Sequence, residues 1–167
     1  MKHIITVRDE DVGLVSNRGV ELSKRTAARA ILKKGKLIAI LHVSKDKFYK
    51  LPGGGVEKDE TIEQALHREV FEETGCTFKV TGEVGETHEY RTQQDMDQIS
   101  YCYFGDMETE SPPTFTKEER SEGYKLIWVP LDKAIELVES NKPTVYNGKF
   151  IIKRDAALLR EAKRLLK

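Results

Sequence analysis

Several things are scarce in this chain of 167 residues, among them cysteine (two), proline (five) and tryptophan (one). Cys76 and Cys102 form no C-x-x-C pair and lie far apart in sequence, which argues against a disulfide scaffold and for reduced thiols in a cytoplasmic protein. His3, His42, His67 and His88 have no zinc-ligand spacing, so no chemistry is assigned to them. The opening stretch MKHIITVRDEDVG has no apolar run long enough for a signal peptide, and no segment approaches a membrane span. Net charge is missing too: 28 basic residues balance 28 acidic ones. No overall field therefore draws a polyanion, and local lysines with a metal would have to attract one. Internal repeats, low-complexity tracts and a second-domain linker are also absent. With 34% charged and 38% apolar residues, the chain suits one domain over residues 1–167 with a real core.

What is present concentrates between Leu51 and Cys76. Pro52-Gly53-Gly54-Gly55 is a tight turn where backbone can pass close to a ligand. Thr61 has the N-cap position with Gln64 at capping-box spacing, Asp59 and Glu60 place negative charge at the helix's positive end, and Gly75 sits where a left-handed cap belongs. The spacing predicts a helix from about Ile62 to Thr74. Ile62, Ala65, Leu66 and Val70 share its apolar sector, and Glu69, Glu72 and Glu73 follow that same sector rather than the opposite face. Glu69 repels Glu72 and Glu73 at i,i+3 and i,i+4, and Arg68 offsets only one charge. A surface helix tolerating its glutamates is the bland alternative. The facing and the preceding glycines favour oxygen ligands for a hard divalent ion, Mg²⁺ or Mn²⁺.

These residues also resemble a known pattern. Gly54, Glu60, Arg68-Glu69-Val70, Glu72-Glu73 and Gly75-Cys76 have the spacing of the box of the Nudix hydrolases, with Cys76 in place of the usual aliphatic residue. Tyr49 and Leu51-Pro52-Gly53-Gly54 resemble the family's approach to that box. The resemblance implies an α/β fold, an α/β/α sandwich with a mixed sheet. It implies metal ligation by Glu69, Glu72 and Glu73 with the Gly53 carbonyl, and Arg68 orienting a box glutamate through a bidentate contact. Glu60 reads as a helix-start residue. Lys50, Gly54 and Gly55 are the candidates for substrate phosphates, although Lys45, Lys47 and Lys50 taken singly also read as solvated loop charges. The general base falls to the acidic loop, among Glu118, Glu119 and Glu122, with Glu119 or Glu122 preferred because they precede the strand of Trp128.

The implied activity is metal-dependent hydrolysis of a nucleoside diphosphate linked to another moiety, with the ion activating the attacking water. A (deoxy)nucleoside triphosphate is the leading substrate. ADP-ribose or a nucleotide sugar ranks behind it, because Tyr90 to Gln93 lacks the proline that ADP-ribose relatives tend to carry. A non-catalytic nucleotide sensor and an RNA 5′-end hydrolase rank lower. The first usually shows an eroded box, and the second wants a basic or aromatic surface. The partner expected is thus a small nucleotide, with no membrane or nucleic acid, and a homodimer left open.

Along the rest of the chain, 3–7 reads as an edge strand and 8–23 as loop or a weak hairpin. Residues 25–32 and 37–43 read as a hairpin, 77–91 as a long strand bent at Gly82 and Gly85, and 99–107 as its partner. Residues 108–122 read as an exposed acidic loop, 124–129 as a strand and 131–140 as a helix. Tyr146-Asn147-Gly148 reads as a turn before a helix over 149–167, whose basic residues fit a charged outer face better than an anionic partner. This order suits a mixed sheet covered on both faces.

Overall fold

In the computed structural model, which describes residues 1–167, eight strands join one mixed sheet. They are β1 (His3–Val7), β2 (Ser23–Lys34), β3 (Leu37–Val43), β4 (Phe48–Lys50), β5 (Gly53–Gly55), β6 (Cys76–Arg91), β7 (Met96–Glu110) and β8 (Tyr124–Pro130). The helices are α1 (Ile62–Thr74), α2 (Lys117–Ser121), α3 (Leu131–Ser140) and α4 (Tyr146–Leu165).

The organising strand is β2. It runs parallel to β7 from Ser23 to Lys33, and β7 pairs antiparallel with β6, which carries β1 at the sheet's edge. On its other side β2 meets β3 only at Lys33 and Lys34, near the hairpin turn. Its edge at Ala27–Arg29 is therefore free, and β5 takes it, with Arg29 opposite Gly53 and Ala27 opposite Gly55. Beyond the hairpin, β3 pairs antiparallel with β4 and β8.

Alternation along β2 explains the layering. Ala28, Ala30 and Leu32 point to one face and pack with Leu66 and Val70 of α1. Ile31 points to the other and packs with Ile135, Val138, Leu158 and Leu159 of α3 and α4. The result is the α/β/α sandwich expected. Strand β6 shifts register between Val80 and Gly82 and between Glu83 and Gly85, where the glycines marked a bend.

Three local expectations change. Strand β7 continues past Met107 to Glu110, because Thr109 and Glu110 still find partners in Thr77 and Cys76. The acidic loop contains the short helix α2, capped by Thr116, whose hydroxyl accepts the Glu119 N–H at 3.1 Å. Tyr146-Asn147-Gly148 is the first turn of α4 rather than a turn before it. The Tyr146 hydroxyl donates to Asp9 at 2.6 Å, and Gly148 sits against Pro143, where a side chain would crowd. No helix is long and apolar enough to cross a membrane.

Candidate active site

The end of α1 is held at both termini. Thr61 and Gln64 form a reciprocal capping box, with bonds of 3.1 and 2.9 Å. Gly75 closes the helix at φ +70°, its N–H donating to the Phe71 carbonyl at 2.8 Å, and any side chain there would strike the Ser111 carbonyl. The glycine turn is held as tightly. Gly53 has φ +134°, and a Cβ on it would run into the Ala28 carbonyl of β2.

These two fixed pieces meet through Glu73. Only 3% exposed, it accepts from the Lys50 ammonium at 2.8 Å through Oε1 and from the Gly53 N–H at 2.7 Å through Oε2. Burial raises its carboxyl above the usual value, and the two donors on its oxygens oppose that only in part. Lys50 is likewise buried. Burial pulls its pKa down, and the Glu73 charge and hydrogen bond together with Tyr124 outweigh that and raise it.

Arg68 organises the neighbouring charges. Its Nε and Nη2 grip Glu60 at 2.7 and 2.9 Å, its Nη1 reaches Glu69 at 2.8 Å, and Nη2 also donates to the Gly55 carbonyl at 3.1 Å. The guanidinium holds the Glu60 carboxyl at about 2, well below the usual range. The Glu69 carboxylate lies against Gly54, filling the space a Cβ would need. Glu72 stands nearer solvent, its side chain 37% exposed. Partial burial and then the Glu69 charge raise its pKa.

Across from α1, α2 brings acid from a distant part of the chain. Glu118, Glu119 and Glu122 line a cavity of about 440 Å³ together with Glu69, Glu73, Gly53, Gly54 and Gly55. The Glu119 Oε2 is buried and has no hydrogen-bond partner. Burial, with Glu118 and Asp46 behind it, raises the pKa of Glu122. The far wall is basic, with Arg25 and Arg29 from β2, and Asn147 from α4 closes it.

The expected site residues take the following positions. Glu69, Glu72 and Glu73 do not converge: no three His, Cys, Asp or Glu side chains gather into a cluster able to hold a metal ion. The missing positive charge is partly internal, because Lys50 comes from β4 to neutralise Glu73 and Arg68 leans on Glu69. Lys50, expected at substrate phosphates, lines the cavity and is paired there with Glu73. The bidentate contact expected of Arg68 with a box glutamate is made with Glu60, while Glu69 receives a single bond. Gly53 turns its N–H to Glu73 and leaves its carbonyl 3.4 Å from Lys50. Lys45 and Lys47 are absent from the cavity lining.

Two features were missed. The Thr116-x-x-Glu119 spacing is itself a capping-box signal for α2. Arg29 interrupts the apolar run Ala27–Leu32, and a charge at the middle of such a strand calls for an explanation. Beneath the cavity, Glu89 accepts from Arg91 at 2.6 Å and from Arg154 at 3.3 Å. Asp155 accepts from Arg154 at 2.7 Å and from the Leu51 N–H at 2.8 Å, which ties α4 to the chain just before the glycine turn.

A family model described as the NUDIX domain matches residues 23–148. A search of curated proteins finds no match. Among solved structures, the E. coli ORF135 protein aligns with TM-score 0.61 at 19% identity, over 86% of this chain and 91% of that one. A MutT protein from Methanosarcina mazei aligns with TM-score 0.58 at 20% identity, over 87% and 99%. An ADP-ribose pyrophosphatase from Streptococcus suis aligns with TM-score 0.53 at 19% identity, over 84% and 92%.

Proposed function

The chain belongs to the NUDIX domain family, and from that premise we propose that it is a pyrophosphohydrolase for nucleoside triphosphates, cutting within the phosphate chain by water attack on phosphorus. One observation carries this reading. Carboxylates from α1 and α2 face a single cavity floored by three glycines, and one carboxylate oxygen there, Glu119 Oε2, is buried with nothing to bind. A buried carboxylate oxygen without a donor is costly, and a cation or a water proton relieves it.

The residues fit a hard divalent ion. The donors are all oxygen, and Gly54 leaves the Glu69 carboxylate flush with the backbone where a phosphate would approach. Glu69 and Glu119, which face each other across the cavity, with the Gly53 carbonyl, would hold Mg²⁺ or Mn²⁺. The ion, when bound, supplies neutralisation of phosphate charge and activation of the attacking water. Glu73 keeps its place as the anchor between helix and glycine turn and would join the ligand set only if Lys50 withdrew.

The chain's own groups do the rest. Arg68 orients Glu69 while its grip on Glu60 keeps the guanidinium still. Glu122, with its raised pKa, is the candidate proton acceptor for the water. The glycine turn lets phosphate oxygens lie against backbone.

The test is a substrate panel with Mg²⁺ or Mn²⁺, scoring pyrophosphate, phosphate and monophosphate, run beside Glu69→Gln and Glu119→Gln. Triphosphate turnover that is lost with chelator and falls in both variants is the expected result. Faster turnover of ADP-ribose or a nucleotide sugar would reassign the substrate. Activity unchanged in both variants would defeat the site.

A further inference from the structure

Arg29 is a buried cation that lacks a partner. It is 5% exposed, lines the cavity, forms no ion pair or side-chain hydrogen bond, and leaves its Nε unsatisfied. An isolated buried guanidinium is strongly unfavourable unless an anion reaches it.

The neighbouring charges show why nothing within the chain fills that role. Two fully buried carboxylates stand near Arg29, Glu89 and Asp155. Both are engaged by other guanidiniums, Glu89 by Arg91 and Arg154 and Asp155 by Arg154. Glu73, the next acid along, is taken by Lys50 and the Gly53 N–H. Arg25, four residues before Arg29 and on the same face of β2, bonds only the neutral Gln98 side chain. Its guanidinium lies over Gly55, where a Cβ would collide with it. Positive charge is therefore in surplus on this wall, and it faces the cavity.

We propose that Arg25 and Arg29 receive a third phosphate of the substrate, one lying beyond the diphosphate at the glycine turn. The geometry places the two charge types on successive residues: Glu69 packs on Gly54 and Arg25 on Gly55. A phosphate chain laid along β5 meets the acidic, cation-binding side at one glycine and the guanidiniums at the next. Tyr124 is the one aromatic residue in the cavity lining, so the wall suits anionic oxygen better than a stacked base or an uncharged sugar. A triphosphate meets this requirement, whereas a diphosphate joined to a neutral hexose leaves Arg29 unpaired. The inference rests on the triphosphate pyrophosphohydrolase reading and assigns the residues that would read the far end of the phosphate chain.

The experiment compares the full chain with Arg29→Met, Arg29→Lys and Arg25→Met. One arm measures kcat/KM with Mg²⁺ for a nucleoside triphosphate and for the matching nucleoside diphosphate-hexose. The other follows Tm in metal-free buffer with inorganic tripolyphosphate. In Arg29→Met the triphosphate preference is expected to fall by about tenfold or more, with Arg29→Lys in between. Tripolyphosphate raises the Tm of the unaltered chain and not that of Arg29→Met. Without anion, Arg29→Met melts no lower than the unaltered chain, because it has lost only an unpaired charge. Arg25→Met, at the exposed mouth, weakens the preference less. An unchanged preference in Arg29→Met, or equal stabilisation of both chains by tripolyphosphate, overturns the assignment and leaves the hydrolase reading standing. Tripolyphosphate stabilisation through Arg29 with no turnover of any substrate has the opposite meaning: the anion site stands and the hydrolase reading falls.

Discussion

The Lys50 ammonium lies 2.8 Å from the Glu73 carboxylate, and both side chains are under 10% exposed. One comes from β4 and the other from the last turn of α1, so this pair joins sheet to helix beneath the glycine turn. Removing one partner leaves the other charge buried and unmatched. Lys50→Met is expected to cost about 3–5 kcal/mol of unfolding free energy, read by urea denaturation. Lys50→Met combined with Glu73→Met recovers most of that loss, and a double variant no more stable than the single one would refute the pairing argument.

Gly53 and Gly35 both have positive φ, +134° and +60°, but only Gly53 faces backbone where a Cβ would go. Gly35→Ala is expected to cost about 1 kcal/mol for the left-handed conformation alone. Gly53→Ala adds a collision with the Ala28 carbonyl and loses several times as much. Thermal melts of the two variants side by side check the difference, and equal losses would show that the β2–β5 contact yields easily.

Acid sensitivity is expected from Glu89. Burial would raise its carboxyl, but Arg154 and Arg91 overcome that and hold it at about 2, against an ordinary 4.5. A depressed carboxylate stabilises the fold fully above its unfolded value, and the contribution fades as pH falls from about 4.5 toward 2. The size is about 3 kcal/mol at most. Denaturant midpoints measured from pH 7 down to 3 should drop steeply below 4.5. Glu89→Gln should start lower at pH 7, because Arg91 and Arg154 lose their anion, and then fall less steeply.

Thr116 caps a helix of five residues, Lys117–Ser121, that makes little core. Thr116→Ala is therefore expected to leave Tm within about 2 °C while kcat falls by about tenfold, since the cap sets where Glu119 stands. Thr61→Ala, capping α1, should instead lower stability by about 1 kcal/mol. A Thr116 variant with full kcat would remove α2 from the catalytic argument.

Periodicity and capping made much of the molecule legible in one dimension. Helix α1 was expected from Ile62 to Thr74 and is found there, because Thr61, Gln64 and Gly75 are local signals that need no tertiary partner. The start of α4 was misread, since Tyr146-Asn147-Gly148 has the composition of a turn. Its contacts, Tyr146 with the distant Asp9 and Gly148 with Pro143, are tertiary and accompany the helix. The acidic loop became partly helical for a local reason, the Thr116–Glu119 box, which was there to be read.

From order and residue type alone came the family pattern, the sandwich of helices on a mixed sheet, and the residues gathered around the glycine turn. Those rest on nearest-neighbour rules: spacing along a helix, alternation along a strand, and the freedom of glycine. Which charge meets which was decided only in three dimensions. Lys50 and Glu73 are 23 residues apart, and Glu89 and Arg154 are 65 apart. Their pairing depends on how strands and helices stack, and that stacking leaves Arg29 buried without an anion of its own.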